Sequence, residues 1–277
     1  MKRKFVYILK ILLILGITTY LTLLILLTLF QKRFIFVPST EQTLPQTVGL
    51  SEFKIIYIPT ADGEKLVTWY KKPEKNGKTI LFFHGNGGAL ANYSRIIHEL
   101  KANADGFLAI DYRGYGGSTG TPSAKGLYTD AMSALQFLKK EGVTTEQIIV
   151  VGYSIGSGLA VQVASQNDIA ALILFAPYSS LEDIAKNRFP YLPVQYLLTD
   201  NIDALALIKN VRAPLLVMHG LRDNIIPYWI GKKLYDAAST SKKIILLEDE
   251  GHGFPYQTGN LTSVKDFLNE KKLLPEN

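Results

Sequence analysis

The 277-residue sequence contains no cysteine. This absence excludes disulfide bonds, a thiolate nucleophile, thiolate metal ligands and a lipid-modified cysteine anchor. Patterns typical of bound metals and nucleotides are also missing: the four histidines are dispersed, and neither His-Glu-x-x-His nor a phosphate-binding Gly-x-x-x-x-Gly-Lys motif occurs. We therefore expect no metal and no cofactor.

Most of the chain also lacks an excess of charge. The sequence has 30 Lys and Arg residues against 24 Asp and Glu residues, a formal net charge of +6. Six of the basic residues lie within residues 1–33, where there is no acid, so the other 244 residues carry 24 basic and 24 acidic groups. Nucleic-acid binding depends on clustered Lys and Arg. A nucleic-acid partner is therefore not expected.

Residues 11–30 form an uncharged apolar run, ILLILGITTYLTLLILLTLF. As a helix it is about 30 Å long, the thickness of a bilayer's hydrocarbon core, and it predicts a transmembrane helix within a membrane anchor at 1–33. A buried helix and a cleaved signal peptide are the alternatives, although the run is longer than that of a signal peptide and does not end at small residues. Four basic residues precede the run and two follow it, which favours a cytoplasmic N-terminus and places the rest of the chain on the non-cytoplasmic side.

Pro38 and Pro45 predict an irregular connector at 34–52. From residue 53 to residue 277, short apolar runs alternate with helical patterns, which predicts an α/β fold with a mostly parallel sheet and helices on both faces. The predicted strands are Phe53–Pro59, Leu66–Lys71, Thr79–His84, Gly106–Asp111, Ile148–Gly152, Ala171–Phe175, Pro214–His219 and Lys243–Leu247. The predicted helices lie at about 90–103, 123–141, 155–166, 228–238 and 258–270.

The interval between Phe175 and Pro214 is longer than a crossover helix requires. An insertion there would lie over the carboxyl ends of the strands, where open α/β sheets bind ligands. We expect a small cap at about 177–210. An ordinary helix with irregular flanks is the alternative.

Gly152-Tyr153-Ser154-Ile155-Gly156 follows an apolar strand and begins a helical pattern. The pattern fits the Gly-x-Ser-x-Gly nucleophile elbow, in which a sharp turn exposes the serine hydroxyl and the flanking glycines let the backbone pass closely. Taken alone, the five residues also fit a plain turn. The strand before them and the helix after them favour Ser154 as a nucleophile.

A serine hydroxyl needs an adjacent base, and that base needs an orienting acid. His252 is the best candidate base because it follows the last predicted strand between two glycines. His98 lies in a helical pattern, and His84 and His219 end strands, so we expect structural roles for these three. Asp223 follows the preceding strand and completes the chain order Ser-Asp-His. The competing acids are Asp200, Asp203 and the run Glu248-Asp249-Glu250.

The loop His84-Gly85-Asn86-Gly87-Gly88 follows the third predicted strand. Acyl transfer places negative charge on a carbonyl oxygen, and backbone N–H groups fixed in position stabilise that charge. We expect the N–H groups of Asn86 and Ile155 to form this oxyanion hole.

Six segments together resemble the α/β-hydrolase superfamily. In chain order they are HGNGG, DYRGYGGS (Asp111–Ser118), GYSIGSG (Gly152–Gly158), APYSSLEDIA (Ala176–Ala185), HGLRDNIIP (His219–Pro227) and EGHG (Glu250–Gly253). More narrowly, the chain is similar to membrane-anchored, serine-aminopeptidase-like hydrolases of the alpha/beta-hydrolase-domain-containing type. The resemblance implies an eight-stranded sheet with the first strand antiparallel, a Ser154/Asp223/His252 triad, an oxyanion hole at Asn86 and Ile155, and structural roles for Asp111, Arg113 and Ser118.

The expected function is that of a membrane-anchored serine hydrolase of carboxylic esters or thioesters. The anchor and the apolar residues of the expected cap favour a lipid-like acyl substrate, although core packing explains those residues equally well. The alternatives are an aminopeptidase-like hydrolase and a non-catalytic, membrane-tethered binding module, because fold alone does not establish activity. An aminopeptidase would need acids for the substrate ammonium, and Glu182, Asp183, Asp200 and Asp203 are the candidates.

Overall fold

The computed structural model describes residues 2–74, 76–257 and 259–274. The predicted segments 1–33 and 53–277 include residues 1, 75, 258 and 275–277, which lie outside the described residues.

One helix, α1 (Lys2–Ile35), contains the apolar run and extends beyond it at both ends. It is about 50 Å long at 1.5 Å per residue, and it is long and apolar enough to cross a membrane. Lys32 and Arg33 lie in its last turn, where cations interact favourably with the helix dipole. The chain then enters the globular body at Phe36, which is buried.

An eight-stranded sheet forms the centre of the body. Its strands are β1 (Lys54–Pro59), β2 (Lys65–Lys71), β3 (Thr79–Phe83), β4 (Gly106–Ile110), β5 (Ile148–Tyr153), β6 (Ala171–Phe175), β7 (Leu215–Gly220) and β8 (Lys242–Leu247). Their order across the sheet is β8-β7-β6-β5-β3-β4-β2-β1. Strands β3 to β7 are completely buried, which explains why each is a continuous apolar run in the sequence.

The expected antiparallel direction of the first strand is wrong. Strand β2 is antiparallel to both of its neighbours, β1 and β4, whereas β1 runs in the same direction as the other six strands. The hairpin at Thr60–Glu64 makes β1 and β2 antiparallel to each other. The turn does not determine which of the two strands pairs with the rest of the sheet. Strand β2 pairs with β4, and β1 forms the edge of the sheet.

Helices cover both faces of the sheet. They are α2 (Ser94–Leu100), α3 (Ala124–Lys140), α4 (Ile155–Gln166), α5 (Leu181–Arg188), α6 (Val194–Leu197), α7 (Leu205–Ile208), α8 (Tyr228–Ala237) and α9 (Thr262–Glu270). The core on one face contains apolar side chains of α3, α4 and α8, and the core on the other face contains those of α2 and α9. The predicted α/β architecture, a mostly parallel sheet with helices on both faces, is thus confirmed.

The connector at 34–52 contains regular structure that its prolines do not predict. Val37–Pro38 pairs in parallel with Gly87–Gly88, and Pro45–Val48 forms a 3₁₀ turn. The amide of Val37 donates to the carbonyl of Asn86 at 3.1 Å, and the amide of Ser39 donates to the carbonyl of Gly88 at 2.9 Å. The segment after α1 is therefore bonded directly to the glycine-rich loop.

Candidate active site

Ser154 lies between β5 and α4 in a strained backbone conformation, with φ 53° and ψ −121°. The two glycines of the pentapeptide make this turn possible. A Cβ on Gly156 would lie 2.2 Å from the carbonyl oxygen of Phe83, and a Cβ on Gly152 would lie 2.5 Å from the carbonyl oxygen of Gly156. Strain of this kind is maintained only where the surrounding structure fixes it, and here it presents the Ser154 hydroxyl at the carboxyl edge of the sheet.

The structure brings Ser154, His252 and Asp223 into one hydrogen-bonded chain. His252 Nε2 lies 3.1 Å from Ser154 Oγ, and His252 Nδ1 lies 2.7 Å from Asp223 Oδ2. Asp223 follows β7 and His252 follows β8, so adjacent parallel strands deliver them to the same edge of the sheet. With Nδ1 donating to the carboxylate, Nε2 is the free acceptor for the serine proton.

Asp223 is buried, and its carboxylate is surrounded by donors. Oδ1 accepts from the amides of Ile225 at 2.9 Å and Ile226 at 2.8 Å. Oδ2 lies 3.3 Å from His219 Nε2 in addition to its bond with His252. Burial by itself raises the pKa of Asp223, but the hydrogen bonds from His219 and His252 and the amide of Ile226 outweigh it and hold this pKa well below its usual range. The carboxylate is therefore ionised at neutral pH.

The glycine-rich loop lies beside Ser154, and its Asn86 is held by three bonds. The carbonyl of Asn86 accepts from the Val37 amide and from the Tyr115 hydroxyl, at 3.1 and 2.9 Å. Its side-chain amide donates to the carbonyl of Ile35 at 3.0 Å. Ile155 is the first residue of α4, where backbone N–H groups have no intrahelical acceptor. The amides of Asn86 and Ile155 thus belong to two well-supported elements that meet at Ser154.

A cavity of about 270 Å³ opens over these groups. Asn86, Ser154 and Ile155 line its floor, and most of its remaining lining is apolar and comes from the end of α1, from α5 and from the loop after β7. We call it the Ser154 cavity. Arg188 is the single charged residue among its described lining residues. A small cavity with a few polar groups at one end is typical of a small-molecule site.

His98 and the DYRGYGGS segment have structural contacts. His98 lies on α2 and bonds to the carbonyl of Val48, as expected of a helix residue. Arg113 makes ion pairs with Asp62 and Asp130. Ser118 donates to the carbonyl of Asp111 and accepts from the amide of Val67. These contacts connect loops of the fold and do not include Ser154 or His252.

The acids of the cap segment, residues 177–210, are engaged elsewhere. Asp200 accepts from the first amide of α3 and pairs with Lys32 at 3.6 Å. Asp203 accepts from the amide of Ala206. Glu182 pairs with Lys186, and Asp183 pairs with Lys233. None of these four acids is among the described residues that line the Ser154 cavity.

Three contributions to the site have no clear signal in the sequence. His219 contacts the carboxylate of Asp223, although its position at the end of a strand indicates only a structural role. The Tyr153 hydroxyl donates to the carbonyl of His252 at 3.0 Å, and burial raises its pKa, so it remains a neutral donor. Phe34 and Ile35, at the end of α1, line the Ser154 cavity.

Comparison with known proteins identifies the family. Residues 74–198 match the family described as serine aminopeptidase, S33. The chain is 32% identical over 250 residues to the uncharacterized protein Rv2307c of Mycobacterium tuberculosis, covering 88% of this chain and 89% of that protein. It is 30% identical to the alpha/beta hydrolase domain-containing protein WAV2 of Arabidopsis thaliana, covering 77% of each.

A solved structure agrees with this relationship. The esterase Pf2001 of Pyrococcus furiosus superposes with a TM-score of 0.70 over 85% of this chain and 98% of its own, at 21% identity. Taken together, the motifs, the strand order and the relatives show that the chain belongs to the α/β-hydrolase superfamily.

Proposed function

We propose that the protein is a membrane-anchored serine hydrolase that cleaves carboxylic esters or thioesters. The observation that carries the proposal is the continuous contact from Asp223 through His252 to the strained Ser154, with distances of 2.7 and 3.1 Å. This is the arrangement that activates a serine hydroxyl. The apolar cavity over Ser154 has room for a small acyl group.

The geometry supports a two-step reaction. Ser154 Oγ attacks the carbonyl carbon while His252 Nε2 takes its proton, and the Asn86 and Ile155 amides stabilise the resulting oxyanion. The intermediate collapses to an acyl-serine, and His252 returns the proton to the departing alcohol or thiol. Water, deprotonated by the same histidine, then releases the carboxylic acid. Asp223 holds the imidazole in one tautomer and stabilises its charged form without taking the proton.

The cavity is a poor match for an aminopeptidase. Such an enzyme must hold the ammonium group of its substrate, which requires a nearby acid. The lining described above has Arg188 and no acid, and the four acids of the cap segment are paired or cap helices. The positive charge of Arg188 in the lining would repel an ammonium group. We therefore favour an ester or thioester over a peptide with a free N-terminus.

The contacts of α1 support an uncleaved anchor. The side-chain amide of Gln31 donates to the carbonyl of Leu197 at 3.0 Å, and its oxygen accepts from the amide of Thr199 at 2.8 Å. Phe34 and Ile35 line the Ser154 cavity. Cleavage of α1 as a signal peptide would remove these contacts and part of the cavity lining, so they support retention of the helix.

Replacing Ser154 by Ala tests the proposal. We expect hydrolysis of p-nitrophenyl butyrate to fall at least about 10⁴-fold, because the nucleophile is lost. Labelling by a fluorophosphonate probe, which requires an activated serine, should disappear as well. Ser157→Ala is the matched control: Ser157 is buried three residues away, and its hydroxyl has no hydrogen-bond partner among the described residues.

The control should keep both turnover and labelling. Turnover and labelling that persist in the Ser154→Ala protein would refute the role of Ser154. A wild-type protein that is folded but neither turns over the ester nor binds the probe would identify a binding module instead.

A further inference from the structure

A second cavity, of about 330 Å³, adjoins the Ser154 cavity. We call it the outer cavity. Five residues line both cavities: Phe34, Ile35, Ala185, Phe189 and Leu198. The two spaces are therefore neighbours that share these five side chains. Phe34 is 69% exposed and Phe189 is 49% exposed, so neither ring is locked in the core.

The outer cavity has an apolar lining from two elements. The anchor helix contributes Leu27 in addition to the shared Phe34 and Ile35, and the cap segment contributes Leu192, Val194 and Leu197. Gln31 is the one polar residue among its described lining residues, and its amide is bonded to the backbone of the cap segment. Because there is no free polar group to pair with, a polar ligand would lose its bonds to water without compensation. The chemistry of this space suits a hydrocarbon chain.

The anchor helix is fixed against the cap segment along one face. Its partly buried residues near the body are Leu24, Leu27, Thr28, Gln31 and Ile35, which recur at the spacing of one helix face. The two hydrogen bonds of Gln31 and the ion pair of Lys32 with Asp200 hold this face in place. The wall that α1 gives to the outer cavity is thus part of the folded structure.

The cap segment extends along α1 into the predicted membrane span. The hydroxyl of Tyr20 donates to the carbonyl of Tyr191 at 3.3 Å. Tyr20 precedes Gln31 by about 16 Å along the helix and lies within the apolar run at 11–30. Tyr191 is 91% exposed and Tyr196 is 83% exposed, so this part of the cap segment presents aromatic rings beside α1. The α1 residues that line the outer cavity, from Leu27 to Ile35, lie at the end of the apolar run, where a membrane-spanning α1 would leave the bilayer.

We propose, resting on the proposed serine hydrolase function, that the outer cavity binds the acyl chain of an ester-linked membrane lipid. The chain enters from the bilayer between α1 and the cap segment, and the ester carbonyl reaches Ser154. The membrane helix is then a determinant of substrate specificity and not only a tether. Short acyl groups fit the Ser154 cavity alone and do not depend on the outer cavity.

The test is a Leu27→Trp substitution in the full-length protein, reconstituted in phosphatidylcholine vesicles. The larger ring fills the outer cavity from the α1 side. We expect the ratio of kcat/KM for p-nitrophenyl palmitate to that for p-nitrophenyl butyrate to fall at least about tenfold. Leu197→Trp fills the same cavity from the cap segment and should lower the ratio similarly. Leu29→Trp is the matched control, because Leu29 is 69% exposed on the same helix and lines neither cavity.

Retained butyrate turnover shows that a variant is folded. The inference is overturned if both Leu27→Trp and Leu197→Trp keep the wild-type ratio, or if Leu29→Trp lowers the ratio as much as they do. Either result leaves the hydrolase function intact. A different result would refute the proposed hydrolase function: turnover of both esters by Ser154→Ala at the wild-type rate. Release of palmitate from monopalmitoylglycerol placed in the same vesicles should follow the palmitate ester, and release unaffected by both cavity-filling variants would exclude a lipid as the substrate.

Discussion

Asp223 combines burial with an unusually complete set of donors, and this makes its charge a source of stability. Its pKa in the folded protein is depressed, so the ionised carboxylate stabilises the fold at any pH above the unfolded pKa, which is about 3.9. That contribution is lost as the pH falls through the lower, folded-state pKa. The carboxyl of the unfolded chain has the higher pKa, so it binds a proton at a higher pH than the folded carboxyl does. Acidification therefore favours the unfolded state.

An Asp223→Asn variant tests this. We expect its unfolding free energy to lie below that of the wild type by a constant amount between about pH 7 and pH 5, and the gap to shrink below about pH 4. Urea unfolding at pH 7, 5, 4 and 3 measures the gap. Asp236→Asn, at an exposed carboxylate on α8, should change stability by less than about 0.5 kcal/mol. A gap that stays constant down to pH 3 would contradict the argument.

The choice of Ser154, Asp223 and His252 could be made from the sequence because each follows a recognisable strand and the chain order allows few combinations. The side-chain contacts that hold these three residues in place could not be predicted from the sequence. His219 is the penultimate residue of β7 and contacts Asp223 only because the turn at residues 221–227 folds back over the strand. The bond from Tyr153 to the backbone of His252 spans 99 residues. A local pattern carries no information about contacts of that range.

At the scale of elements, the strand Val37–Pro38 is the main feature that the sequence conceals. Its proline and its shortness indicate a loop, yet it pairs with the glycine-rich loop and holds Asn86. Replacing Val37 by Pro removes the amide that bonds to the Asn86 carbonyl. We expect kcat/KM for a butyrate ester to fall between about 10- and 100-fold, because the Asn86 amide loses its fixed position.

Val37→Ala is the control for this substitution, since it keeps the amide and removes only a half-exposed side chain. It should have nearly wild-type activity. Equal losses of kcat/KM in the two variants would assign the effect to the side chain. Full activity in Val37→Pro would show that the strand does not support the site.

The larger elements were predictable for a physical reason. Strands buried on both faces must be short apolar runs, so β3 to β7 stand out between helical patterns, and helix α4 matches its predicted bounds. The direction of β1 and the partner of Val37–Pro38 depend on long-range pairing, which no local pattern records.

At the scale of the whole molecule, the six basic residues that flank the apolar run favour a cytoplasmic N-terminus and a non-cytoplasmic body. The chain has no native cysteine, so a single introduced cysteine reports one position. We expect Lys139→Cys, at an exposed position on α3, to react with a membrane-impermeant maleimide in intact cells. Lys4→Cys should react only after the membrane is permeabilised. The reverse pattern would place the body in the cytoplasm.

The short path from α1 to the glycine-rich loop also sets how the protein can search for a substrate. Only Phe36 separates the last residue of α1 from the strand that pairs with this loop, and Gln31 and Lys32 fix the helix from the other side. These contacts restrict rotation of the body relative to α1. If α1 spans the membrane, as we propose, the body diffuses along the bilayer and rotates about the membrane normal, but its site keeps one orientation toward the surface. An encounter with a substrate is then a two-dimensional search within one leaflet.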